Sequence, residues 1–208
     1  TTLQKVSTMT SVSHFDQAAQ GWEQRPISQQ LASSIPTAIQ QAIALQPQHR
    51  LLDFGAGTGL LSAALASQVA EIVALDTSDA MLAVLAEKQL PNVRIVNQDI
   101  FHGMADTFDG VVSCMAVHHV ADTAGLFTVF FQHLVSGGFI AIADLDQEDG
   151  SFHGDNEGKG VKHLGFDRQQ LSTMLQNIGY QAIAFHTAVN VEKDGRSYPV
   201  FLLIARKP

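Results

Sequence analysis

The chain holds one cysteine, Cys114, in 208 residues, so it cannot close an intramolecular disulfide and has no cysteine cluster for a structural zinc. No stretch approaches the roughly 20 consecutive apolar residues that a membrane-crossing helix needs. Residues 1–20 are polar and lack the apolar segment behind basic residues that marks a signal peptide. These absences lead to the expectation of a cytoplasmic protein with no membrane partner. Basic residues are scarce as well: 12 Lys and Arg stand against 20 Asp and Glu, a formal charge of -8. That balance repels a phosphate backbone unless a local basic patch intervenes, and none is visible, so nucleic acid is not an expected partner.

What is present is a core. With 46% hydrophobic residues and 15% charged ones, the chain is long enough to bury one full hydrophobic interior. Apolar runs rich in β-branched residues fall at 50–54, 71–76, 93–97, 108–113 and 138–144. Helical patterns at 60–68, 78–88 and 122–134 separate them, with Ser78 and Asp122 as N-caps. This alternation predicts βαβ units and a parallel sheet. A further helix at 166–178, capped by Asp167 and stopped by Gly179, precedes two strand-like runs at 181–191 and 198–205. Asp194 and Gly195 between those runs give a hairpin, so the sheet is expected to end antiparallel. Residues 1–46 read as N-terminal helices, with Pro26 at a helix start, and 47–208 as the core.

The most specific motif is Leu51, Leu52, Asp53, Phe54, Gly55, Ala56, Gly57, Thr58, Gly59. It reads as a buried strand entering a glycine-punctuated turn and then a helix, and alternate glycines let a ligand lie against the main chain. Dinucleotide sites use G-x-G-x-x-G, whereas here the glycines fall as G-x-G-x-G behind Asp53. A carboxylate is awkward beside a diphosphate and comfortable beside the ammonium and sulfonium of S-adenosylmethionine. Asp76 ends the second strand, where an acidic side chain accepts ribose hydroxyls. Asp99 follows the third, placed for an adenine amino group, with Ile100 against the ring. Three carboxylates at successive strand ends converge on one sheet edge, where open α/β folds bind ligands.

On these residues, together with 76–81, 113–120 and 134–144, the chain resembles the class I S-adenosylmethionine-dependent methyltransferases, in particular small members acting on small molecules. The resemblance spans about residues 15–206. It implies a doubly wound, mostly parallel seven-stranded α/β sheet of order 3-2-1-4-5-7-6. It also implies S-adenosylmethionine as cofactor, held by Asp53, Gly55, Ala56, Gly57, Gly59, Asp76, Thr77, Met81, Asp99, Ile100, Cys114 and Met115. A nicotinamide oxidoreductase fits less well, because of Asp53 and the missing third-glycine spacing. A non-catalytic protein that binds S-adenosylmethionine stays open, since methyl transfer has no obligatory catalytic side chain.

At the reacting end, His118 and His119 are candidate bases or positioning groups, with packing between strand and helix as the structural alternative. Cys114 lacks a preceding proline and reads as a buried, inert thiol. The polar stretch 145–165 is the expected substrate loop. Phe152, His153 and His163 from that loop, with Phe15 and Trp22 from the N-terminal helices, are the candidate acceptor contacts. The acidic start of this loop matches no EF-hand spacing, so no metal is expected. The expected partner is a small-molecule acceptor, and the assembly a monomer or homodimer.

Overall fold

The computed structural model describes residues 14–208; the reading of residues 1–20 as no signal peptide rests mainly on residues outside these. Seven strands form one sheet: β1 (Arg50–Phe54), β2 (Glu71–Asp76), β3 (Val93–Asn97), β4 (Phe108–Cys114), β5 (Leu134–Leu145), β6 (Gln181–Lys193) and β7 (Arg196–Arg206). Their order is β3-β2-β1-β4-β5-β7-β6. The pairs among β1 to β5 are parallel, and β7 runs antiparallel to both β5 and β6. Six α-helices accompany the sheet among the described residues: α1 (His14–Ala18), α2 (Pro26–Ala42), α3 (Leu60–Leu65), α4 (Asp79–Glu87), α5 (Thr123–His133) and α6 (Arg168–Ile178). None is long and apolar enough to cross a membrane.

Side chains alternate across a strand, so one apolar run supplies two cores. Leu51, Ile72, Val112, Ala141 and Leu202 pack with α2 and α3 on one face. Their neighbours Leu52, Val73, Val111, Ile140 and Leu203 join Phe127 and Phe130 of α5 and Leu171 and Leu175 of α6 on the other. Both faces are covered, which is why these strands read as unbroken apolar runs.

The helix ends follow their local chemistry. Ser78 accepts from the N–H of Met81, Asp122 from Gly125 and Asp167 from Gln170, each carrying one of the first-turn donors that lack a helical partner. Gly179 closes α6 at φ +118°, a left-handed conformation suited to glycine. One expectation shifts. β5 begins at Leu134 and not at 138, because Leu134 pairs with Phe108 ahead of an irregularity in the ladder. α2 runs through Pro36, which deprives the Ala32 carbonyl of its helical donor without ending the helix.

Candidate active site

The C-terminal ends of β1, β2 and β4 open into a cavity of about 930 Å³, closed from above by α1, the 3-10 turn Ala19–Gln24, α2 and the loop after β5. Of the residues named from sequence, Phe15, Trp22, Asp53, Gly55, Ala56, Gly57, Asp76, Thr77, Met81, Asp99, Ile100, Cys114, Met115, His118, His119, Phe152 and His153 line it. Gly59 and His163 do not. Gly59 caps α3 at φ +78°, and a Cβ there would meet Leu85 Cδ1 at 2.2 Å, so this glycine lets α3 approach α4. The His163 ring lies 3.0 Å from Thr123 Oγ1 and 2.9 Å from the Val120 carbonyl, pinning the loop to the start of α5.

Gly55 and Gly57 both take positive φ, +66° and +55°. A Cβ at Gly55 would fall 2.3 Å from that of Ala116, while at Gly57 the nearest atom is Met81 Sδ at 4.0 Å. Gly55 thus serves the packing of the turn on the segment after β4, and Gly57 leaves its backbone open to a ligand. Asp53 is fully buried and accepts a 2.6 Å bond from Ser62 Oγ. Burial pushes its carboxyl up to about 7, against the pull of the Ser62 hydroxyl. Asp76 accepts from the N–H of Gly57 at 2.8 Å through one oxygen, and from Thr77 and Ser78 through the other. A carboxylate has about four acceptor positions, so one lone pair remains for a ligand hydroxyl in this conformation. Asp99 accepts from the N–H of Phe101 and is exposed at the rim. Thr58 Oγ1, which sequence did not single out, is buried with no partner among the described residues.

The opposite wall is built of imidazoles. A 3-10 turn, Val117–His119, follows β4 and carries His118 into the interior at 1% exposure. Its Nδ1 lies 2.7 Å from Asp144 Oδ1 at the end of β5, and its backbone N–H donates to Asp144 Oδ2 at 3.1 Å. Burial alone would raise the Asp144 carboxyl; His118 and the N–H groups of Leu145 and His118 hold it below its ordinary value. With Nδ1 committed to a carboxylate, His118 Nε2 is buried, has no partner among the described residues and belongs to a residue that lines the cavity.

His119 and His153 complete the group, with ring centroids 4.1 and 4.9 Å from that of His118. Burial, then His118, pushes His119 down to about 4; burial, then His118, His119 and Lys159, pushes His153 down to about 3. Both are therefore neutral near pH 7, with a lone pair on each ring. The sequence expectation was of no metal, argued from the acidic loop. There Asp146 pairs with Arg168, Asp149 with Arg196, and Glu148 accepts from Gly150 and Phe152, so these carboxylates fold the loop itself.

Sequence reasoning missed Asp144 as the partner of His118, reading it as the end of the 138–144 run. The available signal was its place at the tip of the strand beside the one that delivers His118. It also missed Lys193, read as part of a hairpin turn: the long β6 carries its ammonium to the Phe152 carbonyl on the cavity wall. Cys114 is half-buried, and its thiol is pushed well above the ordinary range by desolvation and then by Asp144 and Asp53.

Comparison with known proteins adds to this geometry. Residues 52–142 match the family model described as a methyltransferase domain. A trans-aconitate 2-methyltransferase of Deinococcus radiodurans is 33% identical over 117 residues, which is 55% of this chain and 45% of that protein. A Schizosaccharomyces pombe protein described as an uncharacterized methyltransferase is 33% identical over 146 residues, 61% of this chain and 51% of its own length. The chain thus spans about half the length of these curated relatives. Among solved structures, one described as the DhpI-SAM-HEP complex superposes with a TM-score of 0.71 at 17% identity, covering 93% of this chain and 94% of that one. At that identity the likeness shows the fold alone.

Proposed function

We propose, on the match of residues 52–142 to the family model described as a methyltransferase domain, that the protein transfers a methyl group from S-adenosylmethionine to a small-molecule acceptor. One observation carries the reading. The open backbone at Gly57, the buried Asp53 and the three-fold-tethered Asp76 face one cavity whose far wall carries unpaired imidazole nitrogens. The residues fit the cofactor: Asp53 suits an ammonium, Asp76 has a free acceptor position for a ribose hydroxyl, and buried Thr58 Oγ1 lacks a partner. When bound, S-adenosylmethionine supplies an electrophilic methyl group on a sulfonium.

The chain's own part is to align an acceptor and manage its proton. Alignment and exclusion of water supply much of the acceleration in such a displacement. His118, held in one tautomer by Asp144, presents Nε2 as proton acceptor, and His119 positions the acceptor beside it. Phe15, Trp22 and Phe152 give apolar walls; Phe15 packs 5.8 Å from Trp22 and 5.0 Å from His119, centroid to centroid. A volume of about 930 Å³ is at the upper end of the ~300–1,000 Å³ typical of small-molecule sites, enough for cofactor and acceptor together. Residues 14–46 and the 145–165 loop are, in this reading, the covering and substrate-selecting parts.

Calorimetry with S-adenosylmethionine, S-adenosylhomocysteine and NAD tests the cofactor assignment: the first two bind and NAD does not. A labelled-methyl assay across metabolite extracts then tests turnover. Cofactor binding without label transfer would leave a binding protein and overturn the enzyme reading.

A further inference from the structure

Proton transfer needs one imidazole at the acceptor end, yet three of the histidines that line the cavity are gathered in one group. One ring nitrogen from each of His118, His119 and His153 lies within 4.8 Å of the other two. His118 Nε2 and His153 Nδ1 are buried and have no hydrogen-bond partner among the described residues. Buried polar atoms are nearly always paired, so two orphaned nitrogens on rings whose centroids lie 4.9 Å apart point to a ligand at this group.

We propose that His118, His119 and His153 form a site for a divalent transition-metal ion, Zn²⁺ in the first instance, with one coordination position open to the cavity. The surroundings are those of such sites. Asp144 holds His118 Nδ1 at 2.7 Å and the Gly160 carbonyl faces His119 Nδ1 at 3.2 Å, the outer contacts that fix the tautomer of a metal-bound histidine. An all-imidazole set selects zinc or its late-transition neighbours; calcium and magnesium need oxygen ligands. Zn–N bonds of about 2.0–2.1 Å place tetrahedral ligand atoms ~3.4 Å apart, so binding draws the three nitrogens together by at most ~1.4 Å. His153 can supply that movement, because it sits in the loop while His118 is locked to the sheet. The buried Asp144 carboxylate offsets the ion's charge. The Lys159 ammonium, held on the His153 carbonyl, opposes it.

Three protein ligands leave a fourth position for substrate, the pattern of catalytic zinc. The acceptor is then a molecule whose oxygen, nitrogen or sulfur ligates the ion, in line with the open cavity. His118 Nε2 cannot give its lone pair to a metal and take a proton at once, so in the loaded protein coordination replaces its role as base. The acceptor assignment rests on the methyltransferase reading; the metal site does not.

The test begins with protein stripped by a chelator and titrated calorimetrically with ZnCl₂, with Co²⁺ absorption spectra as a report on coordination. One ion is expected to bind with four-coordinate Co²⁺ bands. His153→Ala and His119→Ala should each weaken binding at least 100-fold, while His186→Ala, on exposed β6, changes nothing. Circular dichroism establishes that each variant is folded. Wild-type binding no tighter than that of His153→Ala, or Co²⁺ spectra of a fully aquated ion, would overturn the site. S-adenosylhomocysteine titrated in parallel separates the two claims: loss of its binding with zinc retained refutes the methyltransferase reading alone.

Discussion

At the scale of single residues, Asp53 and Asp144 are two buried carboxylates with opposite fates. Asp53 has Ser62 as its hydrogen-bonding residue and sits at about 7 through burial; Asp144 has an imidazole and two N–H donors and stays below its ordinary value. For Asp53 the folded chain binds a proton near pH 7 and the unfolded chain near 3.8, so between these values the folded state holds more protons. Stability therefore falls as pH rises through that window, by on the order of 4 kcal/mol from this group. A cation beside the carboxylate reverses the preference. S-adenosylmethionine affinity is thus expected to rise about tenfold between pH 5.5 and 7 with proton release, measurable in buffers of different ionisation enthalpy. Asp53→Asn should flatten the profile; a profile that stays steep in this variant removes Asp53 from the binding site. For Asp144→Asn the amide cannot accept from three donors at once. We expect about 1–3 kcal/mol of lost stability. Turnover should fall by roughly 100-fold with cofactor affinity unchanged, since only the orientation of His118 is disturbed. Wild-type turnover in that variant would leave His118 with a packing role.

At the scale of elements, the glycine turn can be tested by its contacts. Gly55→Ala brings a Cβ within 2.3 Å of the Ala116 Cβ and places alanine at φ +66°. The pair Gly55→Ala with Ala116→Gly removes the collision and leaves the conformational penalty of about 1–2 kcal/mol. Denaturant midpoints should therefore show the double variant more stable than Gly55→Ala alone; equal midpoints would mean that the turn relaxes freely. Asp167→Ala, which strips the first turn of α6 of its acceptor, should cost about 1 kcal/mol by the same measurement. These elements were legible because their signals are local: a cap three residues before the N–H it serves, a glycine where φ is positive, a two-residue period in a strand. The sheet order required the family resemblance, because strand adjacency is a long-range property of the chain. The packing role of Gly59 was not legible from the same motif, since its partner Leu85 lies 26 positions along the sequence. His118 was visible as a candidate, but the carboxylate that orients it became visible only when β4 and β5 were aligned.

At the scale of the whole molecule, the cavity is walled by segments from both ends of the sequence. Asp16 and Ser78 meet at 2.5 Å, Phe15 packs on His119, Gln30 reaches the Asn190 carbonyl, and Lys193 reaches Phe152. The loop after β5 is tied down separately, through Arg168 on Asp146, Arg196 on Asp149 and the Ser151–Tyr198 contact. Two covers with different anchors can respond to different ligands. The 14–25 cover touches α4 through Asp16, next to the turn that holds Asp76. The 146–165 cover carries His153 and Phe152 on the cavity wall. Hydrogen exchange followed by mass spectrometry is therefore expected to show S-adenosylhomocysteine protecting 14–25 and 55–59, with 146–165 little changed. Zn²⁺ should protect 146–165 and the 117–119 turn instead. Local opening reports the contacts that tether each segment, so the two patterns would separate the chemistry of the donor wall from that of the imidazole wall. Protection of both covers by either ligand alone would mean that they close as one body, and the division of labour between the two ends of the cavity would fall with it.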